Sequence, residues 1–264
     1  MGQTIKEMSE YMILLLDVGN TNIYAGIYDQ VKLIDTFRLN TVIGKTPDEY
    51  YQSLQSFVAT YKITDVMISS VVPKVTIELK KLAQKFYNVA ALVVEPGIKT
   101  GILIKADNPR EVGADLICVA AGLIQDVPTL IIDLGTATKY IYVKNKTIMG
   151  VIIAPGIYSS MMSLTKNTAL LPEVELNVPP KVLGNNTAAC IQSGILYGNA
   201  SAIDGLITRI SREVNEPFDI VLTGGLSSII EPLMYTKAKR EPRLVLQGMI
   251  NIYNKNRHIK GESK

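Results

Sequence analysis

Asp17 and Asp133 each end an apolar run, and each is followed by a glycine two residues on and then by a turn that carries threonine. The first stretch reads LLLDVGNTNIYAGIYD over residues 14–29, and the second reads LIIDLGTATKYIYV over residues 130–143. A carboxylate at a strand end can hold a metal and its waters, while small turn residues expose backbone N–H and hydroxyl donors to a polyphosphate. That is nucleotide chemistry. One such aspartate is as readily a turn or capping residue. Two at matched positions, 116 residues apart, point to a duplicated fold with a nucleotide between its halves. Thr223-Gly224-Gly225 adds a glycine turn at a strand–helix junction, where a flat base or ribose can lie against the backbone. No Gly-x4-Gly-Lys-Ser/Thr loop is present: Gly44-Lys45-Thr46 lacks the upstream glycine and reads as a helix cap. The single histidine, His258, stands near the C-terminus, which nearly excludes Ser-His and His-metal sites. Acid–base work is left to carboxylates, tyrosines or lysines.

The elements that must position these residues alternate in type. MILLLDV and NIYAGIYD read as two strands of a hairpin. Thr46, Pro47 and Glu49 form an N-cap, a first-turn proline and a capping-box partner, so a helix begins there. DVMISSVV reads as a buried strand, VTIELKKLAQKFY as an amphipathic helix and NVAALVVE as another strand. A helix follows Pro109 and leads into the second hairpin. Beyond it come the strand TIMGVIIA, a Pro-Gly turn, a helix through SSMMSLTKNTAL, the proline-broken stretch LPEVELNVPPKVLGNN, a long helix from Thr187, the strand FDIVLT and a closing helix LVLQGMINIYNKN. Small residues along the long helix, among them Gly194 and Gly198, permit close packing or a dimer contact. Alternation of strands and helices implies an α/β fold. The expected organisation is two ribonuclease-H-like domains, residues 1–115 with the first phosphate hairpin and 116–264 with the second hairpin and the adenosine turn, with the nucleotide cleft between them.

Composition narrows the class without naming it. The chain has 264 residues, of which 47% are hydrophobic and 19% charged, which is globular rather than disordered. No apolar run approaches the roughly 18 residues of a spanning helix, so no membrane partner is expected. A net charge of +3, with basic residues gathered near the C-terminus rather than in an aromatic-interleaved stripe, gives no reason to expect nucleic acid as a partner. Cys118 and Cys190 fall inside helices without metal-ligand spacing and read as small core residues of a reducing, cytoplasmic protein. The opening MGQTIKEMSEY has no signal-peptide core, and translation from Met12 would start directly on the first strand.

A set of short motifs covers nearly the whole chain in order: DVGNTNIYAGIYD, ISSVVP, DNPREVGAD, DLGTAT, IIAPGI, LPEVEL, GNNTAACIQSG, TGG and LQGM. Together they resemble type III pantothenate kinase, within the actin, hexokinase and Hsp70 class of ATPases. The resemblance implies ATP-dependent phosphorylation of pantothenate, the first step of coenzyme A synthesis. It also implies ATP with Mg2+, a monovalent cation such as K+ or NH4+, and a homodimer. By the same resemblance Asp17, Val18, Gly19, Asn20, Thr21, Asn22, Ile23 and Tyr24 bind ATP together with Thr136, and Asp133 holds the monovalent cation. Asp115 is the catalytic proton acceptor, and Gly113, Ala114, Asp115, Leu116 and Thr187 form the pantothenate site. Phosphoryl transfer needs an in-line hydroxyl, a carboxylate to take its proton and cations over the phosphates, and Asp115 suits the carboxylate role.

Four residues depart from the family pattern. Leu116 replaces an arginine and Ala106 a tyrosine on the acceptor side, while Lys139 stands for a threonine in the second hairpin and Asn185 for a basic residue. Lost charge-assisted contacts of this kind are worth roughly 1.5–3 kcal/mol each. The alternatives these changes open are a kinase for another small alcohol and a non-catalytic, nucleotide-binding regulator. Lys139 further suggests a fixed charge standing in for the bound cation or for the missing arginine, the other reading being a solvent-facing strand lysine.

Overall fold

The computed structural model describes residues 11–168 and 170–257. His258, the amino-terminal extension and the last residues of the basic tail lie outside the described residues. In chain order the elements are β1 (Met12–Val18), β2 (Asn22–Tyr28), β3 (Leu33–Asn40), α1 (Pro47–Val58), β4 (Ile63–Ser70), α2 (Pro73–Tyr87), β5 (Leu92–Val93), β6 (Leu103–Ile104), α3 (Ala114–Ala121), β7 (Thr129–Leu134), β8 (Ala137–Lys144), β9 (Thr147–Pro155), α4 (Ile157–Lys166), α5 (Thr187–Val214), β10 (Asp219–Thr223), α6 (Ser227–Ile230), β11 (Lys239–Arg240) and α7 (Leu244–Asn256). A 3-10 turn over Pro109–Glu111 precedes α3. The chain packs as two units. The first takes in residues up to Ile102, Asn108–Leu123 and Val245 onward; the second takes in Leu103–Asp107 and Ile124–Leu244.

In the first unit the sheet runs β3-β2-β1-β4-β5, with β1–β2 and β2–β3 antiparallel and β1–β4 and β4–β5 parallel. The unbroken MILLL of β1 is explained by helices on both faces. Leu14 and Leu16 pack with Tyr50, Leu54 and Val58 of α1 and Val75, Leu79 and Leu82 of α2. Ile13 and Leu15, pointing the other way, pack with Ala114 and Cys118 of α3 and Leu246, Met249 and Tyr253 of α7. Leu14, Leu15 and Leu16 are all fully buried, at about 1.5–3 kcal/mol of transfer free energy each. α1 starts where its residues dictate: Thr46 Oγ1 accepts from Glu49 N at 3.3 Å, and the Glu49 carboxylate accepts from Thr46 N at 2.8 Å, which closes the capping box.

The second unit repeats the plan. Its sheet runs β11-β10-β7-β8-β9-β6, with β7–β8 and β8–β9 antiparallel and β7–β10 and β10–β11 parallel. Reading β9-β8-β7-β10-β11 against β3-β2-β1-β4-β5 gives the same order and the same directions, with the short β6 as an additional edge. Leu130, Ile132, Leu134 and Leu222 pack against Ile157 and Met161 of α4 and Ile191, Ile195 and Leu196 of α5. The duplication inferred from two Asp-x-Gly turns is a duplication of sheets. The stretch 170–186 carries no regular element, as its prolines imply. No helix among the described residues is long and apolar enough to cross a membrane.

One residue differs from its expected environment. Cys118 is buried in α3, but Cys190 is exposed, because the fourth residue of α5 falls on that helix's outward side. Helical spacing placed it in a helix without saying which side would face the core.

Candidate functional site

β1 ends at Val18 and the chain turns through Gly19, Asn20 and Thr21 into β2. Gly19 N donates to Asn22 O at 3.0 Å, which makes the turn tight. Thr41, just past the end of β3, braces it: its hydroxyl donates to Gly19 O at 2.7 Å and its backbone N–H to Thr21 O at 2.9 Å. Asn20, Thr21 and Asn22 are exposed at the tip, whereas Val18 and Ile23 are buried in the core. The tip residues can therefore meet a ligand with their side chains, and Val18 and Ile23 only through the backbone.

Register builds a polar row across this sheet. Ser69 of β4, Asp17 of β1, Tyr24 of β2 and Arg38 of β3 are successive cross-strand partners, so their side chains share one face. The Ser69 hydroxyl, fully buried, donates to Asp17 Oδ1 at 3.0 Å. The Arg38 guanidinium sits 4.2 Å from the centre of the Tyr24 ring. Neither Ser69 nor Arg38 stands out in the sequence; ISSVVP contains the serine, but only the strand register shows which residue it faces.

Asp115 lies in the first turn of α3, after Gly113, and is half-buried. Its Oδ1 accepts from Leu116 N at 2.9 Å. Ala114 and Leu116 are buried on either side of it. Burial pushes the Cys118 thiol far above its ordinary range, and the carboxylates of Asp17 and then Asp115 add to the shift, while a Ser69 hydrogen bond opposes it. Cys118 thus lies within electrostatic reach of Asp17, Ser69 and Asp115, all in the first unit.

The second hairpin has a matching row: Thr223 of β10, Asp133 of β7 and Lys139 of β8 are successive partners. Lys139 Nζ lies 3.2 Å from Asp133 Oδ2. Thr136 is exposed at the turn, and its carbonyl accepts from Ser159 Oγ at 2.8 Å. Two glycines let other segments close on this turn. A Cβ on Gly156 would lie 2.3 Å from Thr136 O, and one on Gly224, whose φ is +89°, would lie 2.6 Å from the Leu134 backbone. The Pro-Gly and Thr-Gly-Gly turns are therefore built around the second hairpin. Thr187 is the first residue of α5 and exposed, its helix capped by Asn186 Oδ1 accepting from Ala189 N at 2.9 Å. Ala106 and Asn185 occupy exposed bends.

Asp17 offers a half-buried carboxylate with one oxygen oriented by Ser69. Among the described residues no three His, Cys, Asp or Glu side chains gather to hold a metal by themselves. That donor set fits a Mg2+ delivered with polyphosphate and held largely through water.

Comparison with known proteins bears on the family and the fold. The family profile described as type III pantothenate kinase matches residues 13–209. A relative from Acholeplasma laidlawii named type III pantothenate kinase is 56% identical over 93% of this chain and 99% of its own length. A Campylobacter jejuni protein of the Baf family aligns with a TM-score of 0.59 at 21% identity, over 93% of this chain and 99% of that one. A Porphyromonas gingivalis protein described as an N-acetylglucosamine kinase aligns at 0.50 and 13% identity, over 93% of this chain and all of the other. These solved structures share the fold: two α/β units of the actin-like ATPase and sugar-kinase plan.

Proposed function

Because the chain belongs to the type III pantothenate kinase family, we propose that it transfers the γ-phosphoryl group of ATP to pantothenate and so opens coenzyme A synthesis. The observation that carries this reading is the paired rows Ser69–Asp17–Tyr24 and Thr223–Asp133–Lys139, each ending at an exposed threonine-bearing turn. Phosphoryl transfer asks a protein mainly to position two substrates and to balance charge. Asn20, Thr21, Asn22 and Thr136 supply exposed donors for phosphates, with the backbone of Gly19 and Val18 beside them and Ile23 and Tyr24 shaping the strand behind. Mg2+, when bound, screens the phosphate charge; Asp17 is the residue that holds its waters.

On the acceptor side Asp115 accepts the proton of the attacking pantothenate hydroxyl. Its position in the first turn of α3, between buried Ala114 and Leu116, fixes the carboxylate on a rigid element. Gly113, Ala114, Leu116 and Thr187 complete the pantothenate contacts in this reading. A homodimer belongs to the same reading: Val151, Ile152 and Ile153 of β9 form an exposed apolar run of the kind a second copy covers. The test is product identification. The purified protein with MgATP and pantothenate yields ADP and phosphopantothenate in equal amounts. Tight ATP binding without pantothenate-dependent product would favour the non-catalytic regulator, and turnover with another alcohol would move the acceptor.

A further inference from the structure

We infer that the Lys139 ammonium is a built-in replacement for the monovalent cation, so that this protein works without K+ or NH4+ at Asp133. The inference rests on the phosphoryl-transfer reading of the site and concerns only how charge is balanced at its second hairpin.

A carboxylate beside a phosphate-binding turn needs a positive partner, since otherwise it repels the polyphosphate. In the first unit Asp17 faces Tyr24 across the strand pair. At the equivalent place in the second unit Asp133 faces Lys139. The two side chains are 17% and 19% exposed, and Nζ stands 3.2 Å from Oδ2. Sheet register fixes this contact: directly opposed residues of an antiparallel pair present their side chains on the same face. A flexible surface lysine would not be held in this way.

The residues present therefore do not suit a resident potassium ion at the same carboxylate. A cation about 4 Å from the ammonium would be repelled strongly enough, at an effective dielectric of about 20, to weaken its binding on the order of a thousandfold. An ammonium on a tethered stem also needs no filling from solution. Charge balance at Asp133 thus becomes a covalent property of the chain, independent of the ionic composition around it.

The experiment compares wild type, Lys139→Ala and Lys139→Met in buffers containing choline chloride, KCl or NH4Cl at equal ionic strength. Wild-type pantothenate-dependent ADP release is expected to be the same in all three salts. Lys139→Ala, which leaves a cation-sized space beside Asp133, is expected to fall about ten- to a hundredfold in choline and to recover saturably with NH4Cl or KCl. Lys139→Met, which keeps the bulk but not the charge, is expected to fall and stay low in every salt. A second readout does not depend on turnover: thermal unfolding in the same salts, with thallium(I) binding as a direct probe. Wild type should show neither K+-specific stabilisation nor thallium binding, and Lys139→Ala should show both. Wild-type activity or stability that requires K+ overturns the inference. If no salt supports turnover, the kinase reading fails, and the thermal and thallium measurements still decide whether Lys139 fills the cation position.

Discussion

Gly248 sits where α7 crosses α3, and replacing it with alanine should injure the protein through backbone contact rather than lost chemistry. A Cβ there would lie 1.7 Å from Cys118 O, 2.6 Å from Cys118 C and 2.9 Å from Gly122 N, whereas ordinary contacts begin at 3.4 Å. The obstacle is main chain, so no rotamer change relieves it, and the helices must separate by more than an ångström. Overpacking of this kind costs about 1–3 kcal/mol and sometimes more. A backbone obstacle places Gly248→Ala at the top of that range. Alanine recovers about 1 kcal/mol of helix propensity, which leaves a net loss of about 2 kcal/mol. Gly205 in α5 is the control, because a Cβ there meets nothing within 4 Å; Gly205→Ala should gain about 0.5–1 kcal/mol. Urea denaturation read by far-UV circular dichroism gives both values on one scale. Since α3 carries Asp115, the proposed proton acceptor, Gly248→Ala should also lower kcat on the order of a hundredfold, as expected when such a group moves by about 1 Å. Equal stability changes of the same sign for the two variants would refute the packing argument.

Ser69→Ala removes the buried hydroxyl that orients Asp17 and should lower kcat/KM for ATP about ten- to a hundredfold, measured by steady-state kinetics at fixed Mg2+. Gly224→Ala should destabilise the protein and weaken nucleotide binding by calorimetry, because of both its positive φ and the Leu134 backbone, while Gly225→Ala, with open space around its Cβ, should do neither. For Asp204, burial acts to raise the carboxyl pKa, but hydrogen bonds from the Thr236 side chain and the Tyr235 and Thr236 backbone outweigh it, and the net shift is downward. A lowered folded-state value means that the contribution is complete above the usual aspartate range and disappears as pH falls through the folded value. Asp204→Ala should therefore cost about 1–3 kcal/mol at pH 7, and the gap to wild type in chemical denaturation should shrink steadily below about pH 4.

What the residues reveal by themselves depends on how far their causes reach along the chain. The Thr46–Glu49 cap is legible because its partners are three residues apart and the geometry is local. The two hairpins are legible for the same reason, and their likeness exposes the duplicated sheets. Partnerships set by strand register are not legible: that Ser69 faces Asp17, that Arg38 covers Tyr24, and that Lys139 meets Asp133 in an ion pair follow from pairings between residues 6 to 52 positions apart. The placement of α7 is hidden by a longer range still. Its apolar face reads clearly, yet nothing in LQGM says that the glycine serves a helix crossing at Cys118, and the helix joins the first unit although it ends the chain. The same limit explains Cys190, whose helix was legible and whose exposure was not. The exposure of Asn20, Thr21 and Thr136 and the burial of Val18 and Ile23 likewise required the folded chain.

The central claim is that this chain carries out phosphoryl transfer to pantothenate with Asp115 taking the proton, and it is tested most directly by pantothenate-dependent ADP release from wild type and Asp115→Asn side by side. The expected result is turnover by wild type that requires pantothenate, and a loss of about a hundred- to ten-thousandfold in kcat for the variant with ATP affinity retained. Wild-type ADP release that ignores pantothenate, or an Asp115→Asn protein as active as wild type, would contradict it.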